Sequence, residues 1–158
     1  MGAVEEEVKI ATLGFYQALE DLLLGRGTEA MSAAWHHEPF VSTVHPFGHW
    51  ARGWEEVWAT WQEIAAVFTF YRGHAQRTDG LGGTHDLQVT SLGDVAYTTS
   101  VYKSVMYLPE GELPLSVNCT NVLWKNSGVW RIVHHHPDQA PPDWQAALAR
   151  MVESGQRR

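Results

Sequence analysis

Residues 118–138 read NCTNVLWKNSGVWRIVHHHPD, from Asn118 to Asp138. Two strand-like segments flank the turn signal Asn126-Ser127-Gly128. Before it, Val117, Cys119, Asn121 and Leu123 alternate with Asn118, Thr120, Val122 and Trp124. After it, Trp130, Ile132, His134 and His136 alternate with Arg131, Val133 and His135. Aromatic and β-branched residues around a short glycine-containing loop predict a β-hairpin. The second strand passes from apolar side chains to imidazoles at its end. A strand packed at one end and titratable at the other makes a natural pocket wall.

The bulk sequence bounds what surrounds this hairpin. A chain of 158 residues with 44% hydrophobic and 18% charged residues suits one globular domain. A formal net charge of −7 with scattered Lys and Arg argues against a nucleic-acid partner. A lone cysteine, Cys119, rules out an internal disulfide framework and favours a reducing compartment. The start, Val4-Glu5-Glu6-Glu7, lacks the basic-then-apolar order of a signal peptide, and no run reaches the length of a membrane helix. The expectation is a cytoplasmic protein without membrane contact. Eight Trp and nine His stand out, and imply a large aromatic interior.

Residues 4 to 24 predict a helix, with Val4, Val8, Ala11, Phe15, Leu19 and Leu22 on one stripe. Thr28 opens a short second helix through Ala34 or Trp35. Phe40 to His45 reads as a strand and Pro46-Phe47-Gly48 as a turn. After Gly53, Trp54, Val57, Trp58, Trp61, Ile64, Ala65 and Phe68 recur at helical spacing. Strands are predicted for Tyr71 to Thr78, Thr84 to Ser91, Val95 to Leu108 and Leu113 to Lys125, joined by glycine-containing turns. Asp143 caps a terminal helix carrying Trp144, Leu148, Met151 and Val152 on one face. Consecutive strands with helices segregated from them give an α+β fold on an antiparallel meander. One domain spans 1–158, with 138–158 as a C-terminal extension ending in a short helix.

The Thr-Asn-Val-Leu-Trp strand, tight turn and Trp-Arg-Ile-Val-His-x-His strand resemble the last hairpin of the NTF2-like superfamily. The similarity is to its SnoaL-like/DUF4440 branch and to the related calcium/calmodulin kinase association domains. A strand, His45-Pro46, a glycine and a Trp-containing helix extend it over residues 40 to 137. The resemblance implies a cone, with N-terminal helices packed on a strongly curved antiparallel sheet around a pocket. It leaves chemistry open, since this superfold hosts isomerases, cyclases, dehydratases, hydrolases and non-catalytic association modules. In the kinase association domains, arginines near the positions of Thr99, Asn121 and Pro137 line a carboxylate-binding pocket. None is an arginine here.

His45 ends a strand beside a turn, where an imidazole can exchange protons near neutrality. Period-two geometry puts His134 and His136 on one face and His135 on the other. A bulge at the strand end would shift that parity. His45, His134 and His136 also form a conceivable facial metal set, with Asp138 or His49 as a fourth ligand. Among carboxylates, Asp86 shares a strand with His85, Asp94 sits in a turn, and Asp138 follows the histidines. Tyr97, Thr99, Asn118, Thr120 and Asn121 are polar residues on central strands and need partners or a ligand. Trp54, Trp58 and Trp61 form a core face that also lids a pocket. Arg131 reads as a solvent-facing sheet residue, and Cys119 as a small core residue.

The resemblance, with histidines at strand ends, implies a SnoaL-like protein that binds a small molecule and, as an enzyme, acts on a largely apolar organic substrate by cofactor-independent acid–base chemistry, of isomerase, cyclase or dehydratase type. His45 is the expected proton carrier and His134 its partner. Trp58, Trp61, Tyr97, Asn118, Asn121 and His136 are the expected ligand contacts. No cofactor is expected. The alternatives are a non-catalytic ligand-binding or dimerisation module, assembling as a homodimer through the sheet, and a metal-dependent enzyme using His45, His134 and His136.

Overall fold

The computed structural model describes residues 2–70, 83–108 and 111–156, with side chains described except at 68–70, 106–108, 151–152 and 154–156. The predicted strand Tyr71–Thr78, its following loop, and the Pro109-Glu110 turn lie outside these residues. So do the side chains of Phe68, Met151 and Val152. Among the described residues, four helices and six strands follow in the order α1 (Ala3–Leu23), α2 (Glu29–Ala33), β1 (Ser42–Val44), β2 (Trp50–Arg52), α3 (Trp54–Phe70), β3 (Gly83–Leu92), β4 (Val95–Leu108), β5 (Gly111–Asn126), β6 (Val129–Pro137) and α4 (Pro142–Gln156). The strands form one curved, unclosed α+β sheet in the order β2-β1-β6-β5-β4-β3. All neighbours are antiparallel except β1 and β6, which run parallel.

The periodicities explain the layers. In α1, Val8, Thr12, Phe15, Leu19 and Leu22 are buried at steps of three and four, joined by Tyr16, Ala18 and Leu23. Glu5 and Glu6 lie in its first turn, where the helix dipole favours anions. Val57, Trp61, Ile64 and Ala65 bury the matching stripe of α3. In β5, Leu115, Val117, Cys119, Asn121 and Leu123 face inward, and β4 answers with Ala96, Thr98, Ser100 and Tyr102. The helices cover this inner face; Tyr97, at 41% exposure, belongs to the other one.

Two features depart from the sequence expectation. The first β-strand is shorter than Phe40–His45, and its partner β2, at Trp50–Arg52, is not among the predicted strands. Three residues are too few to display an alternation. The second departure is in β6. Leu123 pairs with Ile132 while its neighbour Val122 pairs with His134, so Val133 is an extra residue in the strand. This bulge reverses the side-chain parity. Trp130 and Ile132 face inward before it, and His135 and Pro137 after it. The imidazole that enters the interior is therefore that of His135, while His134 is half-buried and His136 exposed. The hairpin turn itself follows the sequence. Ser127 and Gly128 have φ of 53° and 80°, the two positive values that a type I′ turn requires.

Candidate functional site

Between the helices and the inner sheet face lies a cavity of about 60 Å³. Apolar side chains dominate its wall: Leu19 and Leu23 from α1, Trp61 and Ile64 from α3, Leu115 and Val117 from β5, and Trp144 from α4. Its polar groups are few: Tyr16, His45, Tyr102, Cys119 and His135. A water needs roughly 10–15 Å³ on this scale, so the space takes a ligand of roughly five non-hydrogen atoms without movement of the wall.

Both imidazoles at the cavity are neutral and fixed in one tautomer. Burial pushes His45 down to about 4, and His135, fully enclosed, is held well below the usual imidazole range by burial and then by His45, His134 and His136. His45 Nε2 lies 2.7 Å from Thr60 Oγ1, and Thr60 spends its only hydroxyl hydrogen on the Val57 carbonyl, also at 2.7 Å. The hydrogen between His45 and Thr60 therefore sits on Nε2, leaving Nδ1 an acceptor. For His135 the argument runs through Asn121. The Asn121 carboxamide donates from Nδ2 to Tyr16 Oη at 3.0 Å and to Thr98 Oγ1 at 3.4 Å. Its Oδ1 then accepts the Nδ1–H of His135 at 2.6 Å, which leaves Nε2 of His135 as the acceptor. Tyr16 continues the chain to Ser100 Oγ at 3.2 Å.

Two wall residues also carry buried donors, Tyr102 Oη and Trp61 Nε1, that make no hydrogen bond among the described residues. Buried polar groups are nearly always paired; Trp35 Nε1, Thr84 Oγ1, His85 Nε2 and Ser104 Oγ are unpaired as well, on residues away from the cavity. Burial raises the Tyr16 and Tyr102 phenols far above their ordinary range, so both stay protonated donors. Burial likewise pushes the Cys119 thiol up to about 11, which keeps it a thiol rather than a nucleophile.

Of the residues singled out in the sequence, His45 and Trp61 stand on the cavity wall. Asn121 is fully buried one step behind it, orienting His135. Trp58 stacks on Trp54 at 5.4 Å and 20°, away from the wall. His134, His136, Tyr97 and Asn118 do not reach it. His134 meets Ser42 Oγ at 2.8 Å and stacks on Trp50 at 5.8 Å, and His136 meets the same indole edge-on at 5.2 Å. Asn118 instead donates to Asp138 Oδ2 at 2.8 Å. The trio His45, His134 and His136 is thus divided between the two faces of the sheet. Among the described residues no three His, Cys, Asp or Glu side chains converge to hold a metal ion. Arg131 donates from Nε to the Ala33 carbonyl, and Asp86 occupies a bulge of β3 with φ of 51°. The residues that sequence reasoning passed over are His135, Tyr16 and Tyr102. A signal was present for Tyr16, which falls beside Phe15 on the α1 stripe.

A helix-covered, curved sheet enclosing an apolar cavity with a few convergent polar groups defines a protein of the NTF2-like superfamily. The SnoaL-like domain family matches residues 15–137, and the chain belongs to that family. Solved structures of the same fold include a candidate dehydratase of the NTF2-like family from Streptomyces avermitilis. It is 22% identical, with 85% of this chain and 94% of that one covered and a TM-score of 0.67. The CaMKII hub of S. rosetta is 18% identical, with 89% and 98% covered and a TM-score of 0.65. An NTF2-like protein of unknown function from Pseudomonas putida is 15% identical, with 86% of each chain covered and a TM-score of 0.66. Among curated proteins, the F-box protein SKIP8 of Arabidopsis thaliana is 26% identical over 115 residues. That match covers 73% of this chain and 43% of the plant protein, so the chain spans less than half of that relative. No helix among the described residues is long and apolar enough to cross a membrane.

Proposed function

We propose that the cavity binds a small, largely apolar molecule bearing an oxygen, and that its chemistry is cofactor-independent proton transfer of the isomerase, cyclase or dehydratase type. One observation carries the reading. Two neutral imidazoles, His45 and His135, each have one nitrogen committed to the protein and the other without a partner among the described residues, beside two orphaned donors. The donors suit a carbonyl or hydroxyl oxygen, and the bare nitrogens suit a ligand O–H or an acidic C–H. In this assignment His135 takes the role first expected of His134. Tyr102 polarises the oxygen, and Asn121 with Tyr16 holds His135 in its tautomer.

Magnitude limits the chemistry. A base whose conjugate acid ionises near 4 is weak, and His135 is displaced in the same direction, so both imidazoles are weak bases, with His45 as proton carrier and His135 as its partner. The substrate proton must already be acidic, as next to a carbonyl. The test is exchange of the α-hydrogens of cyclopentanone in D₂O, followed by NMR, together with its effect on the melt. Expected is exchange above the buffer rate that is lost in His135→Gln, with binding retained. Exchange at the buffer rate with no shift of the melt overturns the reading.

A second reading has its own support. Trp50, Val95 and Tyr97 are large exposed apolar side chains, and the S. rosetta hub shares the fold. Both support homodimerisation through the outer sheet face, which is compatible with an occupied cavity. Sedimentation velocity of the wild type against Tyr97→Glu decides it: a dimer that dissociates on substitution supports the interface, and a wild-type monomer removes it.

A further inference from the structure

The family match ends at Pro137, but the cavity wall does not. The segment beyond Pro137 returns to the sheet and is tied down behind the site. The Asp138 N–H donates to the Asn118 carbonyl at 2.8 Å, and the Ala140 N–H to the carbonyl of Pro46, the residue after His45, at 2.6 Å. Pro141 and Pro142 then start α4, which packs on α3. The first inward residue of α4 is Trp144, 1% exposed. Its indole N–H is shared between the carbonyls of Leu113 at 3.2 Å and Pro114 at 3.0 Å, so the ring is fixed in position as well as buried. The remaining inward residues of α4 with described side chains are Ala147 and Leu148, neither of which lines the cavity.

We infer that Trp144, supplied by a helix beyond the residues the family model matches, is the residue that sets the size of ligand this cavity accepts. The inference rests on the small-molecule reading above and narrows it to compact, monocyclic or acyclic oxygenated molecules. The physical reason is local. A large, flat side chain held by two carbonyls cannot rotate aside without leaving its N–H unpaired, so it acts as a fixed stop rather than a mobile gate. The backbone anchors at Asp138 and Ala140 do not involve the indole. Truncating Trp144 therefore leaves the segment attached while opening an apolar volume of the kind that stays dry and takes up rings.

The test compares cyclopentanone with the bicyclic decalone, by calorimetric or NMR titration, on wild type, Trp144→Ala and Trp144→Phe. Wild type is expected to bind cyclopentanone and exclude decalone. Trp144→Ala is expected to bind decalone at least about tenfold more tightly than wild type does. A folded Trp144→Ala that still binds cyclopentanone and gains nothing for decalone overturns the inference and leaves the cavity reading standing. A wild type that binds neither ketone overturns both. Should circular dichroism show that Trp144→Ala does not fold, Trp144→Phe decides: a partial gain for decalone supports the size stop, and no gain overturns it.

Discussion

His135 Nδ1 and Asn121 Oδ1 meet at 2.6 Å on adjacent strands, and both side chains are out of reach of solvent. The pair is the hinge between fold and site. Asn121 uses its carbonyl on His135 and its amide on Tyr16 and Thr98, so one residue of β5 fixes the rotamer of a histidine on β6 and a tyrosine on α1.

Asn121→Leu removes the partner of His135 Nδ1–H and one partner of Tyr16. Each buried polar group left unpaired costs about 1–3 kcal/mol. A loss of at least about 2 kcal/mol is expected in urea unfolding monitored by circular dichroism. Tyr16 keeps Ser100, so most of the cost falls on His135. A stability equal to that of wild type would mean that the pair adds nothing to the fold.

The outer face offers the opposite expectation. His136 is exposed and touches Trp50, with no bond to the interior network. His136→Ala should change stability by no more than about 0.5 kcal/mol, as surface substitutions do, and leave cyclopentanone affinity within twofold or so of wild type. His135→Ala should abolish the exchange of the ketone's α-hydrogens. If His136→Ala were the damaging change, the inner-face assignment would be wrong.

The contrast between these two neighbours shows how far the sequence could be read. The alternation Val117, Cys119, Asn121, Leu123 is the inner face of β5, and the Trp54 to Ala65 stripe is the inner face of α3. Both depend only on local period, and both were legible. The face of His135 was not, because it depends on the extra residue Val133, and no glycine marks that bulge. Nor does local period report that Trp144, thirty residues along from Pro114, closes the same cavity. The short β2 was invisible for want of length, and the site residue Tyr102 was hidden in a strand where any inward residue would have served as core.

Turn chemistry gives a prediction of stabilisation. Ser127 holds φ of 53°, a conformation that asparagine tolerates better than serine, and Gly128 already supplies the second positive value. Ser127→Asn creates the Asn-Gly pair preferred in type I′ turns. Stability should rise by about 0.4–1 kcal/mol, read as a higher urea midpoint at an unchanged slope. A lower midpoint would show that Ser127 contributes something beyond its backbone.

Acid sensitivity follows from the two buried imidazoles, and its sign can be worked out. His45 ionises near 6.5 in the unfolded chain and at about 4 in the fold, and His135 is displaced in the same direction. Between those limits the unfolded state binds protons that the native state refuses, so stability falls as pH is lowered. The contribution is complete above about pH 6.5 and is lost progressively down to the folded value. For His45 the displacement corresponds to about 3 kcal/mol at its fullest extent. Glu5, lowered first by the Ser91 hydroxyl, and Glu7, lowered first by Lys125, add losses of the usual carboxylate kind, but those begin only as pH falls below their ordinary 4.5. The window from pH 6.5 to 5 therefore belongs to the histidines. His45→Gln keeps a donor for Thr60 but cannot titrate, so its stability should fall less steeply than that of wild type across this window. The Tm of both proteins, measured at pH 7 and pH 5, tests this. Equal slopes would show that folding does not displace the ionisation of His45, and would remove the buried neutral acceptor on which the proposed site depends.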